Sequence, residues 1–283
     1  MSRATALHDS PMRLGAIIIP FEPWEQVVAW TREVEELGFD YLLLPDHLVN
    51  PYGRRPFYES WTTLAALARE TSRVRIGTLV TSIVFREPLL VAKQAIAVDH
   101  VSCGRLELGV GAGSDEDNEV AGLRSWTPRE RSDRLRAFVE ELDGLLRGDE
   151  RRGFPLQRPR PPLTIAAWSP RNLRLAAERA DRWNTMGGYG LSAEDGLARA
   201  TEQNELLDSL CREIGRDPRS LVRSFLHGYR WVAETPFAST EAFAAFVERY
   251  RDAGFDELFF YYPPERFSPE GTVNRDVLKE LRA

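Results

Sequence analysis

VRIGTLVTSIVFREPLLVAKQAIAVDHVSCGRLELGVGAG, residues 74–113, decides the architecture. Val74 to Ser82 reads as an apolar strand, Leu89 to Val101 as an amphipathic helix, and Leu106 to Val110 as a second strand that runs into Gly111-Ala112-Gly113. Strand, helix, strand is the unit that joins parallel strands, because such a pair needs a long crossover. Working outward, the same alternation continues to both ends. Strands are expected at Leu14–Ile19, Tyr41–Leu44, Leu163–Ala167, Trp183–Thr185, Val222–Val232 and Glu257–Tyr262. Helices are expected at Trp24–Leu37, Trp61–Glu70, Pro128–Leu146, Pro170–Ala180, Ala193–Ile214, Ser239–Ala253 and Asn274–Leu281. Gly38 suits a helix C-cap, and Pro128 the first helical position. Eight strand–helix units in order are what close a (β/α)8 TIM barrel. A doubly wound open sheet is the competing α/β arrangement. It needs a break or an antiparallel edge, and the pattern has neither.

Composition narrows the function. The chain has 283 residues, 43% of them hydrophobic, and no compositional break, so residues 12–283 read as one barrel domain behind a polar tail, residues 1–11. A net charge of −6 argues against nucleic acid and against an anionic membrane surface as partners. No apolar run is long enough to span a bilayer, and the first residues lack the apolar core of a secretory signal. Cys103 and Cys211 have no CxxC spacing, which fits a reducing, cytoplasmic setting. Lys93 and Lys279, the only lysines, both fall in helices, so Schiff-base chemistry at a barrel mouth has no residue to carry it. His47, His100 and His227 make no HxH or HExxH pattern, no metal site is expected, and no GxSxG elbow occurs. Such a profile favours a cofactor that brings its own chemistry.

In a barrel, chemistry sits in the loops after the strands. Asp46-His47 follows the second strand. The histidine can act as acid or base, with Asp46 orienting it, or it can be a hydrogen-bonded loop residue. Gly109 to Ser114 follows the fourth strand, and is either a tight turn or a backbone cradle for an anion. Trp168-Ser169-Pro170-Arg171 opens a helix, as a phosphate site or as a plain serine cap with proline behind it. Thr78 to Ser82 reads as ordinary barrel filling. Aromatic residues near the strand ends, among them Phe57, Tyr58, Trp168, Tyr189, Tyr229, Trp231 and Tyr261, suit a flat apolar ligand.

Ile76-Gly77-Thr78-Leu79-Val80 through Phe85-Arg86-Glu87-Pro88, then Ala92-Lys93-Gln94, Asp99 and Ser102 through Gly113, resembles the luciferase-like monooxygenase family. Arg174 to Ala177, Ala180 to Asn184 and Tyr250 to Glu257 extend the likeness, which runs from about Met12 to the C-terminus. The resemblance implies a barrel that binds the deazaflavin coenzyme F420 or FMN. It implies a non-prolyl cis peptide at Leu79-Val80, with Thr81 beside it, forming a bulge under the ring system. It implies that His47, paired with Asp46, is the base or proton donor. The phosphate tail is then expected near Gly111, Ala112, Gly113 and Ser114 and near Trp168, Ser169, Pro170 and Arg171. Some sugar dehydrogenases of the family carry a glutamate after the glycine turn. This chain departs from them with Ser114, followed by Asp115 and Glu116. The leading expectation is F420-dependent hydride transfer with a small organic substrate. The rivals are a reduced-FMN monooxygenase served by a separate flavin reductase, and a cofactor-free homologue acting as a binding subunit. Relatives commonly pair through their second and third helices, which implies a homodimer. Leu64, Leu67, Val91 and Ile96 in those helices could serve that surface or the core.

Overall fold

The computed structural model describes residues 11–50, 56–148, 153–228, 234–268, 271 and 273–280. In chain order these form β1 (Arg13–Ile18), α1 (Trp24–Leu37), β2 (Tyr41–Leu44), α2 (Ser60–Glu70), β3 (Arg75–Thr78), β4 (Thr81–Ser82), α3 (Pro88–Val101) and β5 (Leu106–Gly111). There follow α4 (Asp115–Val120), α5 (Pro128–Leu146), β6 (Leu163–Ala166), α6 (Pro170–Arg179), β7 (Arg182–Thr185), α7 (Ala193–Glu213), β8 (Val222–His227), α8 (Thr240–Asp252), β9 (Glu257–Tyr262) and α9 (Arg275–Glu280). Every strand pairing is parallel. The order β3-β2-β1-β9-β8-β7-β6-β5-β4 closes on itself through β3–β5. The fold is therefore the closed (β/α)8 barrel that the alternation predicted, not an open sheet.

One expected strand is two. Residues 74–82 read as continuous, but Leu79-Val80 lies between β3 and β4, and its peptide is cis. The neighbouring strand explains how the interruption fits. β5 sends Leu106, Leu108 and Val110 outward into the main core, which leaves Glu107, Gly109 and Gly111 facing the barrel axis. A Cβ on Gly109 would lie 2.1 Å from the Thr78 carbonyl oxygen, and one on Gly111 would lie 2.2 Å from Val80 Cγ2. These glycines let β5 approach the bulge, so Gly111 belongs to the strand rather than to a turn. The α4 helix was not foreseen. The expected strand 222–232 ends at His227, with residues 229–233 outside the described set. Leu64, Leu67, Val91 and Ile96 are core residues, all at most 9% exposed.

The barrel interior is tiered. At its amino end, Glu107, Arg182 and Glu257 are buried beside Tyr41. Arg182 Nη1 lies 2.5 Å from Glu107, Arg182 Nε lies 2.5 Å from Glu257, and the Tyr41 hydroxyl donates to Glu257 at 2.8 Å. Arg13 adds a contact to Glu257 at 2.8 Å, and Arg75 pairs with Glu107. Burial works against the Arg182 charge, but the two carboxylates and Tyr41 outweigh it and hold its pKa above normal. Above this layer sit Ile17, Leu43, Leu79 and Phe259, an apolar plug. Val80, Leu226 and Tyr261 pack on the plug and stay half-buried at the carboxyl end, where the mouth opens.

Candidate active site

β2 delivers Asp46 and His47 to the mouth, and the two side chains part company there. Asp46 is 3% exposed. It accepts from Arg86 Nε at 2.7 Å, from Arg86 Nη2 at 2.6 Å and from the Ser82 amide at 3.1 Å. A guanidinium fork matches both oxygens of a carboxylate at once, so Arg86 claims this acid and Asp46 does not orient His47. Arg86 also pairs with Glu59, whose carboxylate caps α2 by accepting from the amides of Trp61 and Thr62. Burial works against the Arg86 charge, and Asp46 and Glu59 outweigh it, so its pKa is raised. The Asp46–Arg86–Glu59 cluster ties the end of β2 and the start of α2 to the segment that leaves the bulge.

His47 keeps about a third of its side chain exposed, and Phe57 stands edge-on to its ring with centroids 6.3 Å apart. The carboxylate facing it is Asp117. Asp117 Oδ2 lies 3.4 Å from His47 Nδ1, and Oδ1 accepts from the Leu48 amide at 3.2 Å. The Ser114 hydroxyl donates to Asp117 Oδ2 at 2.9 Å and accepts from the Asp117 amide at 3.0 Å. Burial pushes the Asp117 carboxyl up, but His47, the Leu48 amide and the Ser114 hydroxyl together hold it below the usual carboxylate range. Asp117 was missed because residues 111–117 read as loop. The signal was present as Ser114-x-x-Asp117, a serine cap followed one turn later by an acid.

The remaining expected residues divide. Leu79 is buried in the plug, and Val80 caps it facing the mouth. Thr81 is fully buried with its hydroxyl against Thr78 at 2.9 Å, so its side chain is turned into the wall. Gly111 passes under the bulge. The Ala112 carbonyl accepts from Arg131 at 3.0 Å, Gly113 takes a positive φ of 72°, and Ser114 caps α4. Trp168 is half-buried and stands edge-on to Tyr189 with centroids 4.6 Å apart. Ser169 caps α6 with Pro170 behind it, and Arg171 turns outward to an exposed pair with Asp133 on α5. His227 lies behind the wall, against Phe246 at 4.7 Å and Phe260 at 5.8 Å, where burial drives its pKa down to about 3. Tyr229 and Trp231 lie outside the described residues.

A second helix starts beside this end of the barrel. The loop after β7 carries Gly187 at φ 79°, packed so closely that a Cβ would meet the Gly196 carbonyl at 2.3 Å. It leads to Ser192, which caps α7 by accepting from the Asp195 amide. A small cleft open to solvent, with room for about 20 Å³, runs between Met186, Gly188, Leu191, Ser192, Leu226 and Gly228. Leu226, which lines it, also packs on the plug.

The mouth thus brings together an apolar floor, the accessible His47 and a bulge beside glycines. A family model described as luciferase-like monooxygenase matches residues 4–278. The chain belongs to the luciferase-like monooxygenase family. Within that family it is 30% identical, over 69% of its length and 53% of the relative's, to a phthiodiolone/phenolphthiodiolone dimycocerosates ketoreductase of Mycobacterium kansasii. It is 36% identical, over 46% of its length and 40% of the relative's, to an F420-dependent glucose-6-phosphate dehydrogenase of Segniliparus rotundus. The chain thus spans about half the length of the curated relatives it matches. Among solved structures, an F420-dependent secondary alcohol dehydrogenase in complex with an F420-acetone adduct superposes with a TM-score of 0.75 at 17% identity, covering 96% of this chain and 98% of the other. The monooxygenase RslO1 of Streptomyces bottropensis gives 0.65 at 18%, covering 96% and 97%. At these identities the structures speak to the fold. Among the described residues, no helix is long and apolar enough to cross a membrane.

Proposed function

We propose that this chain is an F420-dependent oxidoreductase that moves hydride between the deazaflavin and a small organic substrate. The observation that carries the reading is the half-buried Val80 at the cis bulge, seated on an apolar plug in the same open mouth as His47. The residues fit the group. Gly109 and Gly111 give the bulge room, and Val80 and Leu226 offer apolar surface on which a flat ring system can lie. For the anionic tail, the backbone of the Gly187-Gly188 loop suits a phosphate better than Arg171, which is engaged with Asp133, and better than the first turn of α7, which carries Glu194 and Asp195. The backbone of Gly111 to Ser114 remains near enough to the mouth to contribute.

When bound, F420 supplies a two-electron hydride donor or acceptor. The protein has four tasks. The bulge and plug hold a flat ligand from below, Phe57 and Trp168 with Tyr189 wall the mouth, the Gly187-Gly188 backbone receives negative charge, and His47 exchanges the substrate's proton. Holding the reacting carbon within about 3–3.5 Å of its partner lowers the barrier by removing the entropy cost of bringing the two together. The relative named as F420-dependent and the ketoreductase both favour a carbonyl–alcohol interconversion.

The same platform suits reduced FMN, and the likeness to a monooxygenase keeps that reading in play. Titrating the protein with F420 and with FMN, by fluorescence and calorimetry, separates them. Micromolar or tighter F420 binding with weak FMN binding is expected. Preferential FMN binding, with oxygen uptake when a flavin reductase is added, would replace the proposal with the monooxygenase. Binding of neither would leave a cofactor-free binding subunit. Pairing of two copies stays part of the proposal and is read by light scattering.

A further inference from the structure

We infer that Asp117 is a positioning residue that fixes which nitrogen of His47 faces the substrate. The inference rests on the proposed role of His47 but reaches a residue outside the Asp46-His47 motif.

Asp117 is 1% exposed and can only accept hydrogen bonds when ionised. Two of its contacts are already donors aimed at it, the Leu48 amide and the Ser114 hydroxyl. Its contact with His47 Nδ1 becomes a hydrogen bond only in the tautomer that carries the proton on Nδ1. That choice leaves the lone pair on Nε2, the nitrogen away from Asp117. Nε2 is then the atom that takes the O–H proton of an alcohol as its C–H pair leaves as hydride to the deazaflavin. In the reverse direction, the doubly protonated ring returns the proton from Nε2 to the carbonyl oxygen. The other charged groups around His47 are spoken for. Asp46, its chain neighbour, is neutralised by Arg86, which also holds Glu59. Asp115 on α4 pairs with Arg131 from α5. Among the described residues, Asp117 is the carboxylate left to act on the ring. The held-down carboxyl of Asp117 agrees with an ionised partner at neutral pH.

The test is Asp117→Asn, which keeps an acceptor oxygen for the Leu48 amide, with Asp117→Glu as the conservative variant. Nitrogen NMR of the His47 ring, on the protein without coenzyme, reads the tautomer directly. The wild type should show Nδ1 protonated and Nε2 bare in the neutral ring. Asp117→Asn should move population toward the Nε2-protonated form. Turnover should fall about 10²–10⁴-fold, as when a histidine is held in the wrong tautomer, with F420 affinity changed less than threefold and partial rescue by Asp117→Glu. An unchanged His47 tautomer in Asp117→Asn overturns the inference, even if activity falls. If the NMR shifts appear but the wild type binds no F420, the dyad stands and the redox proposal falls.

Discussion

At the scale of residues, the site rests on which carboxylate meets which cation. Sequence adjacency suggested that Asp46 serves His47. In the folded chain a bidentate arginine takes Asp46, and an acid seventy positions away serves the histidine instead. Adjacent side chains at a strand's end point to opposite sides, so neighbours in sequence are poor candidates for contact there. On the proposed reading, in which the ring exchanges a proton and holds no part of the coenzyme, His47→Ala should cost about 10²–10⁴-fold in kcat while leaving F420 affinity nearly intact. A parallel collapse in affinity, measured by fluorescence titration, would mean that His47 is a binding residue.

At the scale of elements, β8 and α8 enclose a histidine that burial keeps neutral near pH 7. His227 is 5% exposed, packed among aromatic rings, and Arg249 adds repulsion to the burial that lowers its pKa to about 3. Unfolded, it would titrate near 6.5. The folded form binds fewer protons in that interval, so its stability is full above pH 6.5 and falls as pH drops toward 3. The slope is about 1.4 kcal/mol per unit, or roughly 2 kcal/mol by pH 5. His227→Leu should flatten the stability profile between pH 6.5 and 5 in urea melts, at little cost at neutral pH, because the buried Nδ1 has no hydrogen-bond partner to lose. A profile as steep as the wild type's would place the acid sensitivity elsewhere. The limits of sequence reading show at this scale too. Strand and helix identities were legible because apolar periodicity survives in each element. The break at Leu79-Val80 was legible only through family likeness, since Thr78 to Ser82 alternates like any strand. The α4 helix was hidden because its first turn, Asp115-Glu116-Asp117, is all acid, which a helix start tolerates but apolar periodicity does not detect.

At the scale of the whole molecule, the barrel sorts its contents by height. Arg182 with Glu107 and Glu257 fills the amino end. Removing the buried cation by Arg182→Met would leave Glu107 to Arg75 and Glu257 to Arg13 and Tyr41, each short of its best-buried partner, and should cost about 3 kcal/mol of stability. Denaturant melts at pH 7 would show it, and a loss under 1 kcal/mol would mean that water reaches the floor. None of this layer was singled out from sequence. Glu107, Arg182 and Glu257 sit at strand starts, where charge normally means solvent, and only the closure of the ring turns those positions inward.

The plug of Ile17, Leu43, Leu79 and Phe259 above that layer makes the barrel a cul-de-sac. A molecule resting on Val80 has no rear exit, so it must depart through whatever has settled on top of it. The guest that reaches deepest is then first in and last out, and traffic at the entrance is a queue.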